Sequence, residues 1–350
     1  MKIGILTFHR AMNYGAVLQC YALQSVLQSK GYDVDVVDYR QLHTEKIYST
    51  FNISIFFGKI RSCHFKDLII YILNIKNRWD KINKFKKFTT NYLMISRKCF
   101  KSALDIHGYD RYIIGSDQLW NPICTGGYDP IYWGNFDSSK KKTTYAISTN
   151  VPILKERPVS DIIRDLKNFE HILCREAEVA NYIKSLGNKN VDVSIDPTLL
   201  LNQHEWLNIV NRADAPSCKY ILTYSVRGDK RILSNIANNL VKDGLQILNI
   251  NGNITPQEFV SLIYHADCVI TSSFHATVFS VIFQRPFWSV KYGDAHDSRY
   301  VNLLVNLGLQ KQLVSKDFVP YIPIIDFGYA CRKLQELRND SIDKLINSFD

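Results

Sequence analysis

Residues 271–287, TSSFHATVFSVIFQRPF, place a histidine where an apolar strand ends and a helix begins. Residues 268–271 predict the end of a buried strand, Ser272 and Ser273 can cap the helix that follows, and His275 falls in its first turn. In open α/β sheets, ligands bind beyond the carboxyl ends of the strands, and a helix N-terminus favours anions. The pattern predicts a proton donor beside an anion site. The alternative is a histidine that only caps the helix or lies satisfied in the interior.

A second group of polar residues follows the first predicted strand. Asn13, Tyr14 and Gly15 stand at the mouth of a helix, where backbone amides can receive an anion or a sugar hydroxyl. The sequence here is neither GxGxxG nor a P-loop, and a simple turn with a helix cap is the alternative interpretation.

Residues 115–122, GSDQLWNP, also follow a strand. They combine the polar and aromatic groups that grip a sugar, namely Asp117, Gln118 and Trp120. The alternative is an aspartate that caps a helix beside a tryptophan of the core.

Two more strand ends carry candidate side chains. YAIST, residues 145–149, puts Ser148 at one of them, and CREAE, residues 174–178, puts Arg175 at the other with Glu176 in the first helical turn. The planar fork of Arg175 suits a phosphate or a carboxylate, whereas a structural arginine would pair with a neighbouring acid such as Glu178.

The elements that position these residues alternate between strand and helix. A strand at 2–8, an amphipathic helix at 16–29 and a strand at 34–39 make one βαβ unit. Residues 44–101 are aromatic, basic and helical in pattern, which indicates an insertion. Further strands are predicted at 111–114, 143–148, 171–174, 191–194, 220–225, 246–250 and 287–290. Further helices are predicted at 230–243, 256–265 with Thr255 as cap, 298–307 and 329–349.

Length and composition favour two globular domains. The chain has 350 residues, 46% of them hydrophobic and 22% charged. The DPTLLL segment, residues 196–201, and the polar stretch 213–218 indicate a junction. We therefore predict an N-terminal α/β domain at 1–208 and a C-terminal α/β domain at 209–326. The economical architecture is two α/β units with parallel sheets that face one another across a cleft.

The sequence shows neither a targeting segment nor a cysteine motif. The start passes directly into a strand pattern, and no apolar run approaches the roughly 18 residues of a spanning helix, so we expect a cytoplasmic protein. The eight cysteines are scattered and form no CxxC or Cys/His cluster, so we expect neither a disulfide framework nor a metal site.

The net charge of +10 and the pI near 9.1 require a partner or an explanation. Residues 76–101 carry nine Lys or Arg against the single Asp80. Aromatic residues recur there at roughly helical spacing, which predicts a helix with an apolar stripe and a basic face: Trp79, Phe85, Phe88 and Tyr92. The basic face is a solvated surface, a contact with an anionic membrane or lipid-linked substrate, or a nucleic-acid contact. No nucleic-acid-binding motif supports the last.

Taken in order and spacing, these motifs resemble the polysaccharide pyruvyl transferase family. The resemblance runs from NYGA through GSDQLWNP, YAIST, CREAE and DPTLLL to SSFHATVFSVIFQRPF and DSRYVNLLVNLGL. It implies a fold similar to the two-domain GT-B glycosyltransferases, with the active site in the cleft and a C-terminal helix at 327–350 that packs back on the first domain.

The resemblance also implies an activity. Family members move the enolpyruvyl skeleton of phosphoenolpyruvate onto two hydroxyls of a sugar, which forms a cyclic ketal and releases phosphate. We therefore expect a transferase without a required cofactor whose acceptor belongs to a cell-surface polysaccharide, such as an exopolysaccharide or capsule, or to its lipid-linked precursor. Peripheral contact with the inner face of the membrane would suit a lipid-linked acceptor.

This chemistry needs a proton on the methylene carbon of the donor, and His275 is the natural source. A helix N-terminus disfavours a charged imidazole and an anionic donor favours it, so we expect His275 to be protonated chiefly in the donor complex. The cations expected around the donor are Arg175, Arg227 and Arg299. Family members commonly carry an arginine where this chain has Ser273. Either Arg299 or Lys291 supplies the missing charge, or the donor specificity has changed.

Two other functions compete with this hypothesis. One is a GT-B glycosyltransferase that uses a nucleotide sugar, although no acidic pair is placed to hold a ribose, since Asp294 and Asp297 flank a loop at His296. The other is a glycan-binding relative without catalytic activity. The sequence carries no signal for metal dependence or for an oligomeric state.

Overall fold

The computed structural model describes residues 1–48, 65–226, 231–241, 245–294, 297–318 and 321–349, with side chains described from residue 75 onward in the helix that begins at Phe65. The chain forms two compact units. The first comprises Met1–Leu200 and Asn339–Asp350, and the second comprises Leu201–Arg338. The division between the units thus falls at Leu200, a few residues before the boundary predicted at 208.

The first unit contains a parallel sheet of seven described strands in the order β3-β2-β1-β4-β5-β6-β7. The strands are β1 (Lys2–Leu6), β2 (Asp33–Tyr39), β3 (Ile95–Phe100), β4 (Arg111–Asp117), β5 (Lys141–Ile147), β6 (His171–Cys174) and β7 (Val191–Val193). The central strands β4 and β5 are almost continuously buried. This is typical of parallel strands that helices cover on both faces.

The helices of this unit connect successive strands. They are α1 (Tyr14–Ser29), α2 (Leu42–Tyr48), α3 (Phe65–Tyr92), α4 (Pro122–Thr125), α5 (Val151–Leu154), α6 (Val159–Leu166) and α7 (Ala177–Ser185). Helix α1 begins where Asn13 accepts a hydrogen bond from the Ala16 amide at 3.3 Å. Its buried residues run along most of its length, because the sheet and further polypeptide cover it.

The second unit has a parallel sheet of five described strands in the order β12-β11-β10-β8-β9. The strands are β8 (Tyr220–Tyr224), β9 (Gln246–Asn249), β10 (Cys268–Thr271), β11 (Phe287–Lys291) and β12 (Leu313–Ser315). The helices are α8 (Gln203–Trp206), α9 (Arg231–Asn238), α10 (Pro256–His265), α11 (Phe274–Ile282) and α12 (Ser298–Asn306), followed by α13 (Gly328–Asn347), whose last residues belong to the first unit.

Both sheets have a point where the strand order reverses. In the first unit it lies between β1 and β4, and in the second between β8 and β10. Doubly wound sheets bind ligands outside the carboxyl ends of the strands at such points. The segments that follow β1, β4, β8 and β10 are therefore the places where each unit would hold a ligand.

Two features of residues 44–101 differ from the sequence prediction. The segment is not helical throughout, because Ile95–Phe100 forms the edge strand β3 and pairs in parallel with β2. The basic composition concealed this strand. Trp79 also departs from the predicted stripe, since it is 56% exposed whereas Phe85 and Phe88 are buried. Six helical residues turn the chain by roughly 240° relative to Trp79, so Phe85 points elsewhere.

The end of the chain is held within the first unit. Arg111, which is 2% exposed, donates to the carbonyl oxygens of Ser348 and Phe349 at 3.0 Å each. The Ile195 amide donates to the hydroxyl of Ser341 at 3.1 Å. Within the described part of the chain, no helix is long and apolar enough to cross a bilayer.

Candidate functional site

His275 lies in the first turn of α11, directly after the carboxyl end of β10 and thus at the reversal point of the second sheet. The helix is anchored by its apolar side, where Phe279 contacts Trp206 and Phe259 edge-on with ring centroids 4.8 and 6.2 Å apart. The imidazole is half-buried and contacts the ring of Phe274 edge-on at 5.0 Å. The predicted position of the histidine at a strand end and helix start is therefore found in the structure.

The two serines before His275 have structural partners. Ser273 is the N-cap of α11, and its hydroxyl lies 3.4 Å from the Ala276 amide that donates to it. The hydroxyl of Ser272 lies 3.1 Å from that of Ser225, which joins the ends of β10 and β8. Both serines are almost fully buried, at 2% and 3% exposure. Their hydroxyls organise the strand ends and the helix cap, and a contact of these serines with substrate stays a prediction.

A cluster around Asp297 shapes the loop that follows β11. The Asp297 carboxylate accepts hydrogen bonds from the amides of Tyr292 and Gly293 at 2.9 and 2.7 Å, and the Tyr300 hydroxyl also contacts it. Asp297 stands at the N-cap position of α12 without capping the helix. The cluster fixes the segment that carries the exposed Lys291 and the half-buried Arg299. Arg227 and His296 lie outside the described residues.

In the first unit, polar side chains meet at the carboxyl ends of β4, β5 and β6. The Ser148 hydroxyl donates to Glu176 Oε1 at 2.7 Å, and Arg175 Nη2 donates to Asp117 Oδ1 at 3.3 Å. Asp117 and Ala146 adopt left-handed backbone conformations with φ of 81° and 46°. Such strained residues cost roughly 1–3 kcal/mol each and cluster at functional sites.

Arg175 is the centre of a buried ion-pair cluster. Its guanidinium bonds to Asp196 and Asp117, and Nε lies 3.6 Å from Glu176. Burial alone would lower the pKa of Arg175, but Asp196, Glu176 and Asp117 together raise it above its usual range. The alternative interpretation of Arg175 was a structural arginine that pairs with an acid, and the structure shows such pairs. The acids are Asp196, Asp117 and Glu176, whereas the expected Glu178 is exposed. Both of its Nη atoms donate to carboxylates, and a contact with phosphate stays a prediction.

Asp196 and Glu176 have different surroundings in this cluster. Asp196 is 1% exposed and also accepts from the amide and hydroxyl of Thr198 at 2.9 and 2.6 Å. Glu176 Oε2 is buried and has no hydrogen-bond partner among the described residues. Because buried polar atoms are normally satisfied, this oxygen is positioned to accept a hydrogen bond from a ligand.

Helix α1 and the segment after β4 contain predicted ligand residues that the structure assigns to packing. Asn13 caps the helix, and Tyr14 is 4% exposed and stacks on Phe85 at 5.2 Å, with Gly15 buried beside it. Trp120 is 3% exposed, stacks on Trp133 at 4.2 Å and donates to a backbone carbonyl. Asn13 thus has the cap role and Trp120 the core position of the alternative interpretations, and their contact with a substrate stays a prediction.

Gln118 is the half-buried neighbour of this tryptophan. Its Oε1 accepts hydrogen bonds from Asn121 at 3.3 Å and from the Cys124 thiol at 3.1 Å. Asp117 and Gln118 thus differ from Trp120, since both keep part of their side chains exposed at the carboxyl edge of the sheet.

The comparison with known families decides the identity of this arrangement. The family model described as polysaccharide pyruvyl transferase matches residues 13–294, from the cap of α1 to the loop after β11. The chain belongs to the polysaccharide pyruvyl transferase family. It is a transferase whose family modifies polysaccharides, and the resemblance expected from the sequence motifs is confirmed.

Solved structures similar to this chain include an epimerase and a glycosyltransferase. UDP-GlcNAc 2-epimerase from Neisseria meningitidis, bound to UDP-GlcNAc, covers 100% of this chain and 99% of its own at 9% identity, with a TM-score of 0.50. The glycosyltransferase SsfS6 from Streptomyces sp. SF2575 covers 99% of both chains at 12% identity, with a TM-score of 0.44. The epimerase shows the fold alone, two Rossmann-like domains with parallel sheets as predicted. No curated protein matches the chain.

The first unit also contains a cavity that the sequence analysis did not predict. It has a volume of about 450 Å³ and lies in the first unit beyond β1 and β2, with α3 as one wall. Its lining includes Arg10, Arg40, Glu45, Phe85 and Lys86. The signal for it was the run of polar residues after the first two strands, His9-Arg10 and Asp38 to Arg40.

A buried carboxylate organises the cationic wall of this cavity. Asp38 accepts from Arg40 Nη2 at 3.0 Å and from Arg10 Nη1 at 3.4 Å, and His9 Nε2 lies 3.1 Å from it. Burial alone would raise the pKa of Asp38, but the hydrogen bonds from His9 and Arg40 and the charges of His9 and Arg10 lower it to about 2. Asp38 therefore holds both arginines in place.

This lowered pKa predicts a stability loss in acid. Since the pKa of Asp38 falls from 3.8 unfolded to about 2 folded, its contribution is complete above about pH 4 and disappears as the pH falls toward 2. The contribution is of the order of 2 kcal/mol. Urea unfolding of wild type and Asp38→Asn at pH 7, 4, 3 and 2 measures it. The difference between the two proteins should shrink across this window, and a constant difference would contradict the pairing.

Proposed function

We propose that this protein transfers the pyruvyl group of phosphoenolpyruvate onto two hydroxyls of a sugar, which forms a cyclic ketal and releases phosphate. The observation that carries the proposal is the position of His275 in the first turn of α11, at the reversal point of the second sheet. A proton donor at a helix N-terminus suits a small anionic donor substrate. Family membership supports the same class of reaction.

The proposed reaction balances its protons. His275 gives a proton to the methylene carbon of the donor, which creates an oxocarbenium-like centre that the first sugar hydroxyl attacks. The carbon–oxygen bond to phosphate then breaks, and the second hydroxyl attacks the same carbon. Of the two hydroxyl protons released, one restores His275 and the other leaves with phosphate. No metal or cofactor is required in this sequence.

The charge of the donor requires cations near His275. We assign this role to Arg299 and Lys291, which the Asp297 cluster holds in the same unit. Arg175 is better described as a positioning residue, since its bonds to Asp196 and Asp117 fix the segment that carries Glu176. We place a hydroxyl of the acceptor sugar beside the half-buried Asp117 and Glu176, where Glu176 Oε2 would accept a hydrogen bond from it.

The proposed acceptor is a sugar of a cell-surface polysaccharide or of its lipid-linked precursor, modified in the cytoplasm. The test is to incubate the purified chain with phosphoenolpyruvate and candidate glycans. Release of inorganic phosphate together with a glycan mass increase of one pyruvate less one water supports the proposal. Release of a nucleoside diphosphate from a nucleotide sugar, with no use of phosphoenolpyruvate, would replace it with glycosyl transfer.

Removal of the Arg299 charge should weaken donor binding. Because hydrogen bonds to charged groups contribute roughly 1.5–3 kcal/mol, Arg299→Ala should lower kcat/KM for phosphoenolpyruvate by about 10–100-fold. Phosphate release at varied donor concentration measures this. Arg332→Ala, which removes an exposed arginine on helix α13 of the same unit, is the matched control. Unchanged donor affinity and turnover in Arg299→Ala would show that this arginine does not replace the charge missing at Ser273.

A further inference from the structure

One side of helix α3 is fixed to the first unit by aromatic residues. Phe85 stacks on Tyr14 at 5.2 Å, and Phe88 contacts Tyr21 edge-on at 6.3 Å. Phe85 and Phe88 are 4% and 2% exposed. The helix therefore lies along the surface of the unit with its opposite side in solvent.

The outer side of α3 is basic and carries a tryptophan. Residues spaced by three or four positions share one side of a helix. The residues on the outer side of α3 extend from position 76 to position 90, a length of about 21 Å at 1.5 Å per residue. They are Lys76, Trp79, Asn83, Lys86, Lys87 and Thr90, of which all but Asn83 are exposed. Asp80 is the only acid among residues 76–101.

Helix α2 carries two exposed aliphatic residues and contacts α3 at Arg78, the neighbour of Trp79 in the chain. Leu42 and Ile47 of helix α2 are 73% and 45% exposed, and Trp79 is 56% exposed. Arg78 Nη2 donates to the Ile47 carbonyl at 3.0 Å, which brings α2 against this part of α3. We call the outer side of α3 together with Leu42 and Ile47 the insertion face. Exposed apolar groups surrounded by lysines are typical of proteins that bind at a lipid headgroup layer.

We propose that the insertion face docks on an anionic membrane surface. The lysines would lie at the level of the lipid phosphates, and Trp79 would enter the headgroup layer, which tryptophan prefers because its ring is amphipathic. Aliphatic Leu42 and Ile47 favour lipid over nucleic acid, since they cannot stack on bases as aromatic platforms do. This inference goes beyond the proposed reaction and needs neither its donor nor its acceptor.

Vesicle binding by the full chain tests the proposal. The protein should sediment with vesicles that mix phosphatidylglycerol and phosphatidylcholine, and remain in the supernatant with phosphatidylcholine alone. Binding should weaken as the salt concentration rises from about 0.05 M to about 0.5 M, because salt screens the attraction between exposed charges. Equal binding to both vesicle types, or binding to neither, would overturn the proposal, as would tighter binding to duplex or single-stranded nucleic acid.

Trp79 is a natural reporter of the docking geometry. The chain has five tryptophans. Trp120, Trp133, Trp206 and Trp288 are at most 3% exposed, whereas Trp79 is 56% exposed. Anionic vesicles should shift the emission to shorter wavelength and protect it from iodide quenching, and Trp79→Phe should abolish both changes. Sedimentation with unchanged emission and quenching would mean that another surface binds, which contradicts the proposal.

Lysine substitutions locate the contact. Each lysine near an anionic surface strengthens partitioning of a protein onto the membrane about five-fold. The double variant Lys76→Gln/Lys87→Gln should therefore bind anionic vesicles about 25-fold more weakly. The matched control is Lys167→Gln with Lys189→Gln, two exposed lysines that line one small cavity near β7, at the other edge of the sheet. An equal loss in both double variants would indicate attraction by net charge alone and would overturn the insertion face as the docking surface. Neither result depends on whether pyruvyl transfer is observed.

Discussion

His275→Gln should lower kcat for phosphate release from phosphoenolpyruvate by about 10²–10⁴-fold, the usual contribution of a general acid. Glutamine keeps a hydrogen-bonding side chain at the start of α11 but cannot deliver a proton. The imidazole contacts Phe274 edge-on and is half-buried, so the substitution should leave the fold intact. Steady-state kinetics with a phosphate sensor would measure the loss, and donor binding by calorimetry should change much less than kcat.

The matched control is His204→Gln, which replaces an exposed histidine on α8 in the same unit. It should behave as wild type. Undiminished turnover in His275→Gln would remove this histidine from the mechanism. A parent protein that binds glycans but never releases phosphate, and a His275→Gln variant that binds equally well, would favour a glycan-binding role without catalysis.

Arg175→Met should lower the free energy of unfolding by about 3–5 kcal/mol, because removal of one member of a buried ion pair leaves the other charge uncompensated. The charge at risk is Asp196, which is 1% exposed. Urea denaturation at pH 7 measures the loss. Arg175→Lys should lose less, since the charge remains although the planar fork is gone.

Two further variants make this experiment specific. Arg164→Met removes an arginine that also pairs with acids, but its side chain is 62% exposed, so the loss should stay below about 1 kcal/mol. Adding Asp196→Asn to Arg175→Met should recover part of the stability, because the two residues are coupled. Unchanged stability in Arg175→Met, together with a raised KM for phosphoenolpyruvate, would return Arg175 to the role of a donor ligand.

The contrast between His275 and Arg175 explains why one role could be predicted and the other could not. His275 depends on a local pattern, an apolar strand followed by serines and a buried helix, and local hydrogen bonding decides where α11 begins. The environment of Arg175 depends on Asp196 and Asp117, which are 21 and 58 residues away along the chain. No spacing rule connects an arginine to acids at such separations.

Trp120 and Trp79 give the same lesson for aromatic residues. A tryptophan beside polar residues suits a sugar site, yet Trp120 stacks on Trp133, which the chain brings to it from beyond α4. A tryptophan near buried phenylalanines suggests a core stripe, yet Trp79 lies on the outer side of α3. The sequence showed that each residue is a tryptophan and how far it lies from its polar or aromatic neighbours, but it did not show which side chains each ring would contact.

The sequence alone determined the alternation of strands and helices, the family, and the position of His275 in the first turn of α11. These follow from hydrophobic periodicity, helix caps and ordered motifs that act over a few residues. The tertiary structure decided the strand order with its two reversal points, the edge strand β3, and which polar side chains at the strand ends already have partners. These depend on contacts between distant segments, and such contacts arise only when the sheet aligns the carboxyl ends of its strands at one edge.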